Sequence, residues 1–216
     1  MRQTSKNNKN VKLKKLKSFK AKLVIAAVIA FALIGVLTLR LSNAATYDGY
    51  QRIRIVQTAE SQIGNKEFNP QVLQYTEGNN EDWCADFVSW VFNKAGYPFV
   101  TAAGPGRSSW RITLVNARVA GYPNLRDYFI KNGAYKTKES LYVPAPGDVV
   151  IFSRQGRSHT GIVSRVDQPA NKNEKWIYTI EGNSKYDDVR NAAYPISDGT
   201  IDGYGTIINA QPTVKG

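Results

Sequence analysis

The chain has 216 residues and a formal charge of +12, with 42% hydrophobic and 11% aromatic residues, ample apolar material for a packed core. Residues 1–45 hold ten Lys/Arg and no acids, so 19 basic and 17 acidic residues remain beyond them and the basic character belongs to the leader, which leaves little support for nucleic-acid binding. One cysteine excludes an internal disulfide, and one cysteine with one histidine excludes a zinc finger.

In chain order, residues 1–22 are rich in Lys, Asn and Ser and read as a cytoplasmic basic segment by the positive-inside rule. Leu23 to Leu39 is an uncharged run of 17 residues. As a helix it spans roughly 26 Å, slightly short of a ~30 Å hydrocarbon core. It is also slightly longer than a usual signal-peptide core of about 7–15 residues. Ser42, Asn43, Ala44 and Ala45 follow as small residues suited to cleavage. The expectation is a signal peptide cleaved near Ala44 or Ala45, or an uncleaved membrane anchor; both place the rest of the chain outside the cytoplasm. The predicted organisation is a leader over 1–45, one domain over 46–210 and a short tail over 211–216.

Residues 47–64 read as a helix with Ile53, Ile55, Val56, Ala59 and Ile63 on its apolar face and Gly64 at its end. Residues 68–82 are polar and turn-rich, with a short apolar piece at Val72-Leu73. Next, Cys84, Phe87, Val88, Val91, Phe92 and Ala95 recur at spacings of three and four, with Asp82 as N-cap and Gly96 before Tyr97-Pro98 as the stop. The one cysteine therefore lies in the first turn of a core helix. There the unpaired N–H groups and the dipole stabilise a thiolate and can donate to an oxyanion. Taken alone, the pattern suits a buried structural cysteine better, since free Cys is among the most buried residue types. Trp110 and Tyr122 are candidates for a groove wall, and Asn124 caps a predicted helix over Leu125 to Lys131.

The remainder reads as strand: Asp148 to Phe152, His159 to Val166, Lys175 to Glu181 and Tyr204 to Asn209, rich in Val, Ile, Tyr and Trp and separated by turns. Gln155-Gly156-Arg157-Ser158 suits a hairpin that puts the one histidine, His159, at the start of its strand. In an antiparallel meander that start lies beside the end of the strand bearing Glu181. Asn183 shares its face with Glu181 if the chain stays extended.

Trp83-Cys84-Ala85-Asp86-Phe87-Val88-Ser89-Trp90, Pro146-Gly147-Asp148-Val149-Val150-Ile151-Phe152, His159-Thr160-Gly161-Ile162-Val163 and Glu181-Gly182-Asn183-Ser184 follow one another along the chain. In that order they resemble the CHAP domain, the cysteine- and histidine-dependent amidohydrolase/peptidase branch of the papain-like, NlpC-type cell-wall hydrolases. The resemblance extends over about residues 47–210. It implies an α+β, papain-like fold with N-terminal helices packed on an antiparallel sheet, the first of them behind the cysteine helix. It implies Cys84 as nucleophile, His159 as general base and then acid, and Glu181 as the group that orients the imidazole, with Asn183 competing for that role. The Cys84 N–H is the expected oxyanion donor. Papain-like enzymes often supply a glutamine as a second donor, but position 83 is Trp, read as lid or core, and that donor stays unassigned.

The implied activity is cleavage of an amide in peptidoglycan, as an amidase or an endopeptidase, by a monomer without cofactor or metal. Some phage relatives hold calcium in the loop before the cysteine. Glu77, Asn79, Glu81, Asp82 and Asp86 are oxygen donors there, but their order does not follow a calcium loop, and they read instead as complements of the helix dipole. Two other readings remain open: a non-catalytic wall-binding module on the same fold, and an amidase or transferase acting on another extracellular amide.

Overall fold

The computed structural model describes residues 22, 25–38, 48–102, 107–120, 122–154 and 156–207. The chain divides into two units, Met1–Tyr47 and Asp48–Gly216. In the first, residues 25–38 form a helix that is exposed almost throughout. Among the described residues no helix is long and apolar enough to cross a membrane. The basic run 1–21, the cleavage candidates Ala44 and Ala45 and the tail 211–216 lie outside the described residues.

The second unit is α+β. Its helices are α1 (48–60), α2 (Pro70–Tyr75), α3 (Cys84–Ala95) and α4 (Leu125–Lys131). Its strands are β1 (Tyr135–Thr137), β2 (Val149–Arg154), β3 (Arg157–Asp167), β4 (Trp176–Glu181), β5 (Arg190–Pro195) and β6 (Ile201–Gly205). They form one sheet in the order β1-β6-β2-β3-β4-β5, antiparallel at every pairing. The period-2 alternation of β2 shows how the sheet is filled: Val149 and Ile151 join the core under α3, while Val150 and Phe152 join a smaller cluster with Val163, Ile177, Ile201 and Tyr204. The strands predicted over 148–152, 159–166 and 175–181 are present with shifted ends as β2, β3 and β4, whereas of the one predicted over 204–209 only Tyr204 and Gly205 are strand, at the end of β6, and residues 208–209 lie outside the described residues. Two are additional: β1 and β5 close the sheet at its two edges. A further short helix, α2, forms around Val72 where turns were expected.

α3 is the central helix. Ten of its 12 residues are buried, so both faces are core rather than one. It packs against β3 on one side and α2 on another. Gly96, at φ 93°, ends it in the left-handed conformation, with Tyr97 N–H donating to the Phe92 carbonyl at 2.8 Å. Its start differs from expectation: Trp83, not Asp82, holds the N-cap position, and no side chain caps the turn. Asp82 is engaged elsewhere, accepting from Asn183 Nδ2 at 3.3 Å.

The face of α1 also differs. Gln51, Ile55 and Ala59 are buried, whereas Ile53 and Ile63 are exposed. Rotation of the helix is set by Arg52, whose guanidinium donates to Asp148 at 2.8 Å and to the Pro146 carbonyl at 3.0 Å. Asp148 is fully buried, and it also accepts from the Tyr142 hydroxyl and the Ala145 N–H. The Pro146-Gly147-Asp148 stretch is thus the joint between α1 and the sheet. α4 begins as read from the sequence: the Asn124 side chain accepts from Asp127 N–H at 2.8 Å.

Candidate active site

Three elements converge on the site. Cys84 opens α3, His159 is the third residue of β3, and Glu181 ends β4. Antiparallel pairing sets Phe152 opposite His159 and Ile162 opposite Ile180, which brings the start of β3 beside the end of β4. Imidazole Nε2 meets Glu181 Oε2 at 2.9 Å. A carboxylate can only accept, so Nε2 carries the proton and Nδ1 is the nitrogen left for the thiol. Cys84 lines the same cleft and acts on the titration of the ring. The three side chains line one open cleft of about 1040 Å³, with Asp82, Arg157 and Lys185 along its rim.

The electrostatics favour a charged ring. Burial works against an imidazolium, but hydrogen bonds to Cys84 and Glu181, and the negative charge on both, outweigh it and raise the His159 pKa from 6.5 to about 9. Burial pushes the Glu181 carboxyl upward. The His159 contact and the Thr179 and Tyr194 hydroxyls reverse that and hold it below the ordinary glutamate range. Thr179 Oγ donates to Oε1 at 2.6 Å, and the Tyr194 hydroxyl donates to Oε2 at 3.3 Å. Both carboxylate oxygens are thereby fixed, and the one aimed at His159 cannot swing away.

Asn183 takes a different place from the one expected on an extended chain. It sits at φ 52°, in the left-handed region that Asn tolerates, so the chain turns after Glu181. Its amide binds Asp82 rather than the imidazole, linking the turn after β4 to the loop before Cys84. Trp83 is core, 1% exposed and 5.8 Å from the Tyr75 ring. Tyr122 lines a separate cavity of about 400 Å³ with Tyr128 and Arg107, and Trp110 packs partly buried on the main core. Neither forms a wall of the cleft that holds Cys84. Of the acids before and after the cysteine, Glu77, Glu81 and Asp86 all pair with Arg111.

Several residues of the site went unnoticed in the sequence. Thr179 and Tyr194 buttress Glu181, and the Phe152 ring stacks on His159 at 6.1 Å. Two glycines of the motifs have steric duties. A Cβ on Gly161 would lie 2.6 Å from Glu181 Cγ and 3.0 Å from the Ile180 carbonyl, so the carboxylate reaches His159 across a position that must stay bare. A Cβ on Gly182 would come within 2.7 Å of Phe87 and Trp83, so this glycine lets the end of β4 press on the first turn of α3. Gly161→Ala is accordingly expected to displace Glu181, destabilise the domain by about 1–3 kcal/mol through overpacking, and lower the His159 pKa. Thermal unfolding and an NMR titration of the ring check both; an unchanged titration would show that Glu181 has room to spare.

Comparison with known proteins supplies one match. No curated protein and no solved structure matches the chain. The family model described as CHAP domain matches residues 75–183, half of the chain, from the end of α2 through the turn after β4, and so includes Cys84, His159 and Glu181. With a cysteine at a helix start, a histidine and a carboxylate in line, and an antiparallel sheet behind them, this chain belongs to the CHAP domain family, whose members are amidase- and peptidase-type hydrolases.

Proposed function

We propose that this protein is an exported peptidoglycan hydrolase that cleaves an amide through a Cys84–His159–Glu181 thiol mechanism. The observation that carries the reading is the hydrogen bond of Glu181 to the one imidazole, in an open cleft that the one thiol also lines. His159 takes the thiol proton at Nδ1, giving a thiolate–imidazolium pair that the buried Glu181 carboxylate stabilises. The thiolate attacks the amide carbonyl. The resulting oxyanion is met by the Cys84 N–H at the uncapped start of α3, where the helix dipole adds to the effect. His159 then protonates the leaving amine, which departs as the thioester forms. Water, deprotonated by the same ring, hydrolyses the thioester and returns the thiol.

An open cleft, rather than a closed pocket, suits a polymer threaded past the nucleophile. Digestion of purified peptidoglycan with mass spectrometry of the released ends tests the reading. New alanine amino ends identify an N-acetylmuramoyl–L-alanine amidase, and other amino ends identify an endopeptidase. Binding without any Cys84-dependent product would indicate a wall-binding module instead. Export is the second part of the proposal, supported by the basic, then apolar, then small-residue order of the leader. In the native host the mature N-terminus is expected just after Ala44 or Ala45, or else the intact chain stays membrane-bound with residues 46–216 outside. Protease shaving of intact cells and N-terminal sequencing distinguish these outcomes; intact protein in the soluble cytoplasm would contradict both.

A further inference from the structure

Acidic residues stand on both sides of Cys84, in the loop before it and in the first turn of α3. Asp86, two residues past Cys84 in the first turn of α3, is fully buried, and its Oδ2 has no hydrogen-bond partner. Glu77 and Glu81 lie in the segment leading into that turn. All three converge on Arg111, a side chain only 1% exposed. Each guanidinium nitrogen serves a different carboxylate: Nε donates to Asp86 at 2.6 Å, Nη1 to Glu77 at 3.4 Å, and Nη2 to Glu81. A lysine ammonium also has three donors but carries them on one nitrogen, so it could not span the same three positions.

We propose that Arg111 is a positioning residue for the nucleophile: its buried charge offsets Asp86 beside Cys84, and its three-way fork fixes the loop that leads into the catalytic turn. The proposal rests on Cys84 being the nucleophile. Burial first, and then the nearby Cys84 and Glu77 charges, push the Asp86 carboxyl well above its ordinary range. Arg111, with Nε 2.6 Å from Asp86 Oδ1, is the cation in contact with it. The other charged groups near Cys84 are His159 and Glu181 on the sheet, Asp82 in the preceding loop, and Arg157 and Lys185 across the cleft. None of them contacts Asp86 in place of Arg111. The segment carrying Arg111 has its own anchor, since Ser89 Oγ accepts from the Ile112 N–H at 3.0 Å and donates to the Ile112 carbonyl at 3.1 Å. Loss of the guanidinium therefore need not detach it from α3.

The test is the rate of Cys84 alkylation by iodoacetamide between pH 5 and 9 in the full chain, which reads the thiolate without reference to any substrate. Arg111→Met is expected to slow alkylation at pH 6 roughly tenfold, the effect of removing one neighbouring opposite charge, with the rate recovering at high pH. Arg111→Lys keeps the charge and is expected to keep most of the pH 6 rate. Asp86→Asn combined with Arg111→Met removes the acid two residues from Cys84 together with its cation and is expected to recover part of the lost rate, Glu77 and Glu81 remaining. A folded Arg111→Met protein with an unchanged pH 6 rate overturns the proposal, as does a double variant as slow as the single one, because a purely structural role predicts no rescue. If Arg111→Met does not fold, Asp86→Asn alone decides: it leaves Arg111 unopposed by that acid and should speed alkylation at pH 6, and an equal or slower rate counts against the proposal. Should the unmodified protein alkylate only at the pH of an ordinary thiol, the hydrolase reading fails, while the comparison among variants still reports on Arg111.

Discussion

Replacing Cys84 with alanine is expected to lower peptidoglycan cleavage by at least about 10⁴-fold while leaving the domain folded, since loss of a covalent nucleophile leaves only binding and oxyanion stabilisation to accelerate the reaction. The substitution removes one sulfur from a side chain 7% exposed, at the rim of the core rather than its centre. A cost of about 1 kcal/mol or less is expected, at the low end for a small truncation. Far-UV circular dichroism and thermal unfolding would therefore change little. Binding to insoluble peptidoglycan should also survive, because the remainder of the cleft is untouched. The imidazole supplies a second readout: without the influence of Cys84, the His159 pKa should fall below its value of about 9. Comparable lysis by the Cys84→Ala protein would remove the thiol from the mechanism and favour a different nucleophile or a binding role.

What could be read in advance, and what could not, follows from how local each feature is. α3 was legible because its apolar spacing, the stopping glycine and the burial requirement all agree; Phe87, Val88 and Val91 are each fully buried. β2, β3 and β4 were legible as runs of Val and Ile. β1 and β5 were not. Tyr135–Thr137 is short and partly exposed, and Arg190–Pro195 is mostly small or polar, so each is a strand through its pairing, with β6 and β4 respectively, rather than through its own sequence. The face of α1 was misread for a related reason. Ile53 is more apolar than Gln51, yet the Arg52–Asp148 pair turns Gln51 inward.

In the site, Cys84 and His159 were conspicuous because each is unique in the chain. Thr179 sits two residues before Glu181 on the same face of β4, a spacing that pointed to it in hindsight. Tyr194 and Arg111 offered no comparable signal, since each reaches its partner from an element distant in sequence. Tyr194 does so from β5, which was not foreseen. Of the acids flanking Cys84, Glu77, Glu81 and Asp86 meet neither a metal pattern nor the helix dipole alone but a guanidinium 25 residues beyond Asp86.

Glu181→Gln is expected to lower turnover roughly 10²-fold, within the range for disturbed acid–base catalysis, whereas Asn183→Ala should cost much less. The difference is geometric and electrostatic. Glu181 touches the imidazole at 2.9 Å and is 2% exposed, while Asn183 binds Asp82 and only shapes the turn. A glutamine can still orient the ring, but it supplies no charge to an imidazolium, so the His159 pKa should fall from about 9 toward 6.5 in Glu181→Gln and hardly move in Asn183→Ala. His159 is the one histidine, so its ring signals follow this titration without ambiguity. The sign for stability follows from the same values. A histidine raised above its unfolded value of 6.5 stabilises the fold fully below pH 6.5, and that contribution is lost as pH rises through about 9. Glu181 has the opposite dependence: its pKa is depressed, so its contribution is present above the ordinary glutamate range and lost as pH falls through its lowered value. The unmodified protein should therefore lose part of its stability between pH 6.5 and 9, and Glu181→Gln should flatten that slope. The alkaline limb of kcat/KM should likewise move to lower pH with the imidazolium it depends on. If Asn183→Ala instead costs more activity, and Glu181→Gln leaves rate, titration and slope alone, the amide and not the carboxylate is the partner of His159.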